Sequence, residues 1–421
     1  MQRTRLLAQR AMSARQFSTS PPCLVSPERS FPAYFVRGGT SNGLIIREDV
    51  LPSSGRPTSD VSAAAMTARA AAWAPLLAPA MGSPDPQAAR QLDGMGSGVS
   101  STSKICVISP PSSDAERADR DVNFTFVQVG IRDGSLDLAG NCGNMISVVG
   151  PLAFDLGYGG THQDSSGKAV VRIFNTNTKK LIQSTFSVAG SPPRYSSQGD
   201  YSIDGVPGTH SRITLSFLRP AGAKTGAANG LPTGNPVDLL SPGEGEPATV
   251  QASLVDVSNP GVFVLASSLG LGEDTVAAAK AIETDPVLKA KVDHLRREGA
   301  VRMGMDPKTE SVPKIVILFP PSQDTDIRCV ALSMGQVHKA VPLTLALCLG
   351  AAARIPDTLA SQLVETKTRG STGSTSSSTI VIGHPSGRVD VGTTLDEADG
   401  TILSAELHRT ARVLMEGKVY Y

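Results

Sequence analysis

The stretch GNCGNMISVVGPLAFDL, residues 140–156, decides the fold, because it is a small polar loop that leads directly into a long apolar helix. A second stretch with the same order, SMGQVHKAVPLTLALCLGAAA, occupies residues 333–353. We place the polar loops at 140–144 and 333–338 in equivalent positions of two halves. This repetition predicts two pseudo-equivalent domains that face a shared cleft.

Short strand-like runs surround both helices, and few of them alternate with helices. KICVI at 104–108 and KIVILF at 314–319 are examples, and residues 168–218 are dominated by such runs. No strand is followed by a GxGxxG turn, and the glycine-rich segment at 94–98 lacks the GK[ST] order of a phosphate-binding loop. The pattern therefore favours an α+β protein with mainly antiparallel strands. From about residue 404 the chain reads as a C-terminal helix.

Length and composition limit the number of domains and the kinds of partner. The chain has 421 residues, which favours two domains, and 39 basic against 38 acidic residues leave a net charge of +1. That balance gives no basic excess for a phosphate backbone, so nucleic acid is not expected as a partner. No run of eighteen apolar residues occurs, so no membrane-spanning helix is expected.

The cysteines and histidines do not form a metal or disulfide pattern. The five cysteines are scattered without a CxxC pair, and the six histidines show neither HxxxH nor HxH spacing. A disulfide framework and a zinc-ribbon site are therefore not expected, and no metal is predicted.

The first residues of the chain have the composition of a targeting segment. MQRTRLLAQRAMSARQFSTS carries four arginines and no acid, and the first acidic residue is Glu28. Arg-rich, Ser-rich and acid-free segments are typical of mitochondrial transit peptides. We therefore predict a transit peptide over residues 1–27 and a location in the mitochondrial matrix.

Cys142 is the first candidate for chemistry. A cysteine between Asn141 and Gly143, just before a helix, would lie at the helix N-terminus, where the dipole and free N–H groups stabilise a thiolate. The same amides can hold a substrate carboxylate, with side-chain donors from Asn141 and Asn144. The alternative is a small buried cysteine that only fills a packing gap.

Lys104 is the second candidate, because it ends a run of glycines and hydroxyls and begins an apolar strand. Apolar surroundings would make its amine a usable acid or base. An ordinary solvated lysine at a strand end is the competing interpretation.

The turn that carries Arg37, Thr40 and Ser41 is the third candidate, since a guanidinium, hydroxyls and turn amides can together grip a carboxylate. The alternative there is a hairpin turn with an exposed arginine. His338, Lys339 and His384 are further candidates of the same kind.

Seven motifs, taken in chain order, resemble those of the PrpF family of isomerases. They are RGGTSNG (37–43), LDGMGSGVSSTSK (92–104), GNCGN (140–144), LPTGN (231–235), SMGQVHKAVP (333–342), IGHPSGR (382–388) and RTARVLMEGKVY (409–420). The resemblance extends from about Phe31 to Tyr421. It implies the diaminopimelate epimerase-like fold, with two domains that are each a mainly antiparallel β-roll around a central helix. The active site is then expected in the cleft between the domains.

The same resemblance implies domain bounds and residue roles. The first domain would span 28–218 and the second 219–400, with residues from about 400 to 421 able to return to the first. The family's catalytic lysine and cysteine correspond to Lys104 and Cys142. The residues expected to bind substrate are Arg37, Thr40, Ser41, Ser101, Asn141, Gly143, Asn144, Met334, Gly335, Gln336 and His384. No cofactor is implied.

The resemblance implies a cofactor-independent isomerase of a small unsaturated tricarboxylate such as 2-methylaconitate or aconitate. Lys104 and Cys142 would transfer the proton through a dienolate, and the second half lacks the partner thiol of a two-cysteine epimerase. A 4-oxalomesaconate or methylitaconate type tautomerase is the alternative substrate class. A thiol hydrolase using Cys142 with His338 or His384, and a non-catalytic partner of an aconitase-type dehydratase, are the competing functions. A homodimer and association with such a dehydratase stay open.

Overall fold

The computed structural model describes residues 30–421 apart from 57–59, 139–140, 160–166, 244–248, 311, 334, 370–378 and 397, and it does not describe the side chains of 333 and 366–369. The predicted transit peptide at 1–27 lies outside the described residues and stays a prediction. Among the helices that are described, none combines the length and the hydropathy needed to cross a bilayer.

Strands are the most frequent regular elements in the described chain. In chain order they are β1 (Ser30–Gly38), β2 (Ser41–Arg47), β3 (Lys104–Ser109), β4 (Val122–Val129), β5 (Leu136–Asp137), β6 (Lys168–Asn175), β7 (Lys180–Ala189), β8 (Arg194–Tyr195), β9 (Ile213–Leu218), β10 (Asp238–Leu240), β11 (Val250–Val257), β12 (Asn259–Leu265), β13 (Lys314–Phe319), β14 (Ile327–Ser333), β15 (Gln336–Val337), β16 (Thr379–His384), β17 (Gly387–Leu395), β18 (Ile402–Arg409) and β19 (Ala411–Tyr420). The helices are α1 (Ala63–Ala80), α2 (Asp114–Asp119), α3 (Gly143–Asp155), α4 (Thr275–Thr284), α5 (Pro286–Arg302), α6 (Leu343–Ala352) and α7 (Leu359–Arg369).

Two halves of the molecule repeat one order of strand pairs. In the first half, β1–β2, β3–β4, β6–β7 and β7–β9 are antiparallel, whereas β2–β3 and β4–β6 are parallel. In the second half, β11–β12, β13–β14, β16–β17 and β17–β18 are antiparallel, whereas β12–β13 and β14–β16 are parallel. The predicted α+β fold with two pseudo-equivalent, mainly antiparallel halves is confirmed.

Two strand pairs connect the halves and the chain ends. Strand β9 pairs with β18, which joins the sheet of the first half to that of the second. Strand β19 pairs with β1 from Ser30 to Gly38, so the end of the chain returns to its beginning. We therefore use "first half" for residues 30–218 and 411–421, and "second half" for residues 219–410.

One helix lies at the centre of each half. Every residue of α3 from Met145 to Phe154 is buried, and so is every residue of α6 from Leu345 to Ala352. Since both helices are apolar all round, they are stable only when strands enclose them on every side. This is why each half of the sheet curls into a roll.

The C-terminal segment differs from the sequence-based expectation. It forms β18 and β19 rather than a helix from about residue 404. Strand β18 is mostly buried and lies between β9 and β17, while β19 completes the edge beside β1. The strand pairing offered by distant segments outweighs local helix propensity here.

The second polar loop also lies elsewhere than predicted. Strand β14 pairs with β15 here, with Leu332 opposite Val337 and Ser333 opposite Gln336. The segment that leads into α6 is 338–342. The structural counterpart of the loop before α3 is therefore 338–342 and not 333–338.

Candidate active site

A cavity of about 910 Å³ lies between the two halves, and residues from both line it. The N-termini of α3 and α6 meet there, because an added Cβ on Gly143 would lie 3.3 Å from the Leu343 Cβ. Unpaired N–H groups and the positive ends of both helix dipoles therefore point to one place. Such a position favours an anion.

Cys142 is the residue that precedes α3. Its backbone is extended (φ −133°, ψ 101°), its carbonyl accepts from Ile146 N at 3.1 Å, and its thiol makes no capping hydrogen bond. Among the four described cysteines it alone is partly exposed; Cys106, Cys329 and Cys348 are buried. Burial raises the pKa of the Cys329 thiol to about 12 and also raises those of Cys106 and Cys348. Cys142 is therefore the described thiol with access to a ligand.

The turn between β1 and β2 packs against the first turn of α3. Gly39 has φ +52°, and a Cβ added there would lie 2.1 Å from Asn144 Oδ1, so only glycine fits. The close approach lets Asn144 Nδ2 donate to Thr40 Oγ1 at 3.0 Å. Asn141, on the other side of the thiol, accepts from Asn175 Nδ2 at 3.0 Å. Asn141 and Asn144, on either side of Cys142, are thus held by residues that are distant in the sequence.

Lys104 lies on the first-half wall of the cavity as the first residue of β3. Its Nζ donates to Gln128 Oε1 at 2.9 Å and lies 5.2 Å from the centre of the Phe126 ring. Ser100 and Ser101, from the short 3-10 turn just before β3, line the cavity beside it. The amine is therefore partly enclosed and faces the same space as the Cys142 thiol.

The second half contributes two arginines, and Arg409 is the more buried. Its side chain is 8% exposed, its Nη1 donates to His408 O at 2.8 Å, and no ion pair to it forms within the described residues. Burial lowers the pKa of Arg409 to about 10, so the guanidinium is still charged at neutral pH. A buried cation that faces a cavity without a carboxylate partner is suited to an anionic ligand.

Two histidines complete the second-half wall. His338 Nδ1 accepts from Ala340 N at 3.1 Å, and His384 Nδ1 accepts from Ser386 N at 3.3 Å. Burial lowers the pKa of both imidazoles, which favours their neutral forms. With Nδ1 accepting, each neutral ring carries its proton on Nε2. Both can then donate a hydrogen bond to a ligand.

A segment of the first half reaches across the cavity to the second half. It runs from Tyr201 to Gly205, and Asp204 Oδ2 accepts from Arg388 N at 2.9 Å. The aspartates that line the cavity are Asp200, Asp204, Asp324 and Asp390. Anion binding here must therefore depend on the placement of individual donors rather than on net charge.

Most of the predicted site residues meet in this cavity. Those that line it are Thr40, Ser41, Ser101, Lys104, Asn141, Cys142, Gly143, Asn144 and His384. Gly335 and Gln336 do not, because they belong to the β14–β15 hairpin, and Met334 lies outside the described residues. Among the residues that the structure describes, no three His, Cys, Asp or Glu side chains cluster as metal ligands would.

Arg37 is not among the residues that line the cavity, and its predicted grip on a carboxylate stays a prediction. Its Nη1 donates to Gly39 O at 3.0 Å and to Thr410 O and Oγ1 at 3.1 Å. Arg37 therefore ties the β1–β2 turn to the start of β19. A local motif could not distinguish this role from substrate binding, since Thr410 is distant in sequence.

Sequence reasoning missed the two arginines of the second half. Arg388 and Arg409 stand inside the motifs IGHPSGR and RTARVLMEGKVY but were not singled out. A signal for Arg409 exists, because it follows the buried positions Ala405 and Leu407 at a spacing of two in the run AELHR. A charge at an inward strand position is rare unless it has a partner or a ligand.

Comparison with known proteins identifies the family. The family model described as PrpF protein matches residues 29–421. A 2-methyl-aconitate isomerase of Cupriavidus necator is 34% identical over 416 residues, covering 93% of this chain and 97% of that protein. A (4E)-oxalomesaconate Delta-isomerase of Novosphingobium sp. (strain KA1) is 33% identical, covering 93% of this chain and 97% of that protein.

A solved structure agrees with these relatives. The crystal structure of a methylitaconate-delta-isomerase superposes with a TM-score of 0.76 at 31% identity, covering 93% of this chain and 95% of that chain. The match includes both halves of the fold, and hence both walls of the cavity.

Proposed function

Because this chain belongs to the PrpF family and is an isomerase, we propose that it acts on a small unsaturated tricarboxylate, 2-methylaconitate or aconitate. The reaction moves a double bond or exchanges cis and trans forms. Lys104 and Cys142 transfer the proton, and no cofactor takes part.

One observation carries the proposal: Lys104 and Cys142 face the same cavity, which is also lined by two helix N-termini and the buried guanidinium of Arg409. An amine and a thiol can each act as a general acid or base. The helix amides and the guanidinium are donors that stabilise a carboxylate or an enolate. Proton donors, proton acceptors and anion donors are therefore present in one space.

The proposed chemistry starts from an allylic C–H bond beside a carboxylate and a conjugated double bond. One group of the Lys104/Cys142 pair takes the proton, and the C–H electrons shift into the conjugated system to give a dienolate. Helix amides and Arg409 stabilise the negative charge on its oxygens, where loss of one such donor typically costs about 3–4 kcal/mol. The other group returns a proton to the far carbon, which moves the double bond. Rotation before the proton returns exchanges cis and trans forms.

The two halves divide the binding of the three carboxylates in this proposal. Gly143, Asn144 and Thr40 offer donors on the first-half wall, next to the thiol. His338, His384 and Arg409 offer donors on the second-half wall. A tricarboxylate that spans the cavity contacts both sets, and its reactive carbon then lies near Lys104 and Cys142.

The test is proton NMR of the purified protein in D₂O with cis-aconitate, 2-methyl-cis-aconitate and 4-oxalomesaconate in separate tubes. We expect solvent deuterium exchange and isomer formation with one of the first two acids. The Lys104→Ala and Cys142→Ser variants are expected to lose both signals. Lys314→Ala is a matched control, because Lys314 begins β13 as Lys104 begins β3 but lies outside the cavity lining.

The outcomes separate the competing functions. Turnover of 4-oxalomesaconate alone would replace the substrate class and keep the proton-transfer pair. Near-wild-type turnover by both Lys104→Ala and Cys142→Ser would contradict the mechanism. No turnover of any acid, together with co-purification of an aconitase-type dehydratase, would favour the non-catalytic partner.

A further inference from the structure

We infer that Gln128 is a positioning residue that holds the Lys104 amine in the cavity through a neutral acceptor, an inference that rests on the proposed role of Lys104. Gln128 lies on β4, directly opposite Lys104 in the β3–β4 register. Its Oε1 accepts from Lys104 Nζ at 2.9 Å. Gln128 itself does not line the cavity, so it would act through the lysine rather than on the substrate.

The amide of Gln128 is held at both ends, which makes it a rigid support. Its Nε2 donates to Ser103 O at 2.9 Å and to Ser100 O at 3.3 Å, so the amide orientation is set by the segment that precedes β3. With both Nε2 protons engaged, Oε1 is left to accept from the lysine. The Phe126 ring, 5.2 Å from Nζ, limits movement of the amine on another side.

A neutral acceptor suits a group that has to gain and lose a proton. An amide oxygen accepts a hydrogen bond from an ammonium and from a neutral amine alike, whereas a carboxylate at the same place would stabilise the ammonium by ion pairing. No carboxylate pairs with Lys104 within the described chain, where its one hydrogen bond is to Gln128. Glutamine therefore orients the amine without fixing its protonation state.

The other titratable groups near Lys104 are few. Cys106 lies two residues further along β3, where side chains point to the same face. Cys142 lines the same cavity just before α3, and Asp137 on β5 is the register partner of Gln128. A change at Gln128 should thus be readable in the titration of Lys104 itself.

The direct test is a ¹³C NMR titration of the lysine Cε signals in wild type and Gln128→Glu, with the Lys104 signal assigned by its loss in Lys104→Arg. The introduced carboxylate should move the Lys104 midpoint to higher pH by about one unit or more. Gln251→Glu is the matched control, because Gln251 is exposed on β11 in the other half. It is expected to leave the Lys104 midpoint in place. Equal midpoints in wild type and Gln128→Glu would overturn the inference, and this readout needs no substrate.

Kinetics with 2-methyl-cis-aconitate give a second readout. In Gln128→Glu, the limb of the kcat/KM profile that Lys104 governs should move to higher pH, whether the lysine acts as base or as acid. In Gln128→Met, which has no strong acceptor, kcat should fall about tenfold while KM changes less than about twofold, since Gln128 does not touch substrate. Thermal unfolding of each variant confirms that it is folded.

The failures are distinguishable. If Lys104→Ala is inactive but Gln128→Met has the wild-type kcat and the Gln128→Glu profile is unshifted, the positioning role is wrong and the proposed function stands. If Lys104→Ala retains near-wild-type turnover, the proposed role of Lys104 is wrong, and the NMR titration still decides whether Gln128 holds the amine.

Discussion

The residue before the central helix differs between the two halves: it is Cys142 before α3 and Pro342 before α6. Both helices begin at the same cavity, and Gly143 and Leu343 are their first residues. Strands β3 and β13 are also equivalent, because each pairs in parallel with the strand before it and begins with a lysine. Lys104 lies opposite Gly43, and Lys314 lies opposite Gly261. Of these two lysines, only Lys104 lines the cavity.

The difference shows how one repeated architecture can serve two tasks. The first half keeps a thiol and an amine at the cavity, while the second half has proline and a lysine placed elsewhere. Burial and the nearby Lys224 lower the pKa of Lys314 to about 8, yet this amine does not face the shared space. The second half instead supplies Arg388, Arg409 and two histidines. In the proposed enzyme, one half transfers the proton and the other half binds carboxylates.

The largest expected difference in kcat is between alanine variants of the two residues that precede the central helices. Cys142→Ala should lower kcat by about 10²–10⁴-fold, because it removes a proton-transfer group. Pro342→Ala should change kcat less than tenfold, because no ionisable group is lost. Steady-state kinetics on the acid identified by NMR measure both. Equal losses of kcat in the two variants would contradict the proposal that only the first half transfers the proton.

The second effect concerns the carboxylate-binding wall. Arg409→Leu should lower kcat/KM by about 10–100-fold, mostly through KM, since a hydrogen bond to a charged group contributes about 1.5–3 kcal/mol. Arg412→Leu is the control, because Arg412 is exposed on β19. Arg409→Lys should recover only part of the loss, as an ammonium cannot form a two-point contact with a carboxylate. A KM for Arg409→Leu that matches wild type would remove Arg409 from substrate binding.

The third effect sharpens the comparison of the two central helices. Gly150 in α3 and Gly350 in α6 are eighth in their helices, and an added Cβ would lie 2.5 Å from Ser184 Oγ and 2.4 Å from Val391 Cγ2. Those contacts come from β7 and β17, which are equivalent strands. Gly150→Ala and Gly350→Ala should each lower the free energy of unfolding by about 1–3 kcal/mol.

Urea denaturation measures these changes. Gly417→Ala serves as the reference, because a Cβ added on Gly417 meets no atom within 4 Å. An effect in only one helix would show that the two halves are not packed alike.

The smallest effect is a pH dependence that should arise mainly in the second half. Burial lowers the pKa of His338, His384 and His408 below the ordinary value of 6.5. Below that pH the unfolded chain binds more protons than the folded protein, so the free energy of unfolding should fall as the pH decreases through this range. Well above pH 6.5 these groups contribute no slope.

Urea denaturation at pH 7.5 and 5.5 gives the two values. The variant His384→Asn retains an acceptor for Ser386 N, but its side chain does not titrate. Its free energy of unfolding should therefore decrease less between pH 7.5 and 5.5 than that of wild type. An identical loss would exclude His384 as a source of the dependence.

Site residues could be predicted from the sequence where they stand at the boundary between a polar loop and an apolar helix or strand. Cys142 stands between a polar loop and an apolar run, and Lys104 between hydroxyls and an apolar strand, so both were found. Arg37 has an equally suggestive setting, but it does not line the cavity, and its Nη1 donates to Gly39 O and Thr410 Oγ1. Arg409 has little local signal beyond its inward position on β18, and it reaches the cavity only because β18 pairs with β9 and β17.

The sequence by itself determined the two apolar central helices, the polar residues at the start of α3 and the family to which the chain belongs, because these features are written in neighbouring residues. The tertiary structure decided that the C-terminus forms strands, that 338–342 and not 333–338 precedes α6, and that Arg409 replaces Arg37 at the cavity. These outcomes depend on strand pairs and hydrogen bonds between residues that are distant in the sequence. Such contacts exist only after folding, since closing the long loops between them has to be offset by burial of the core.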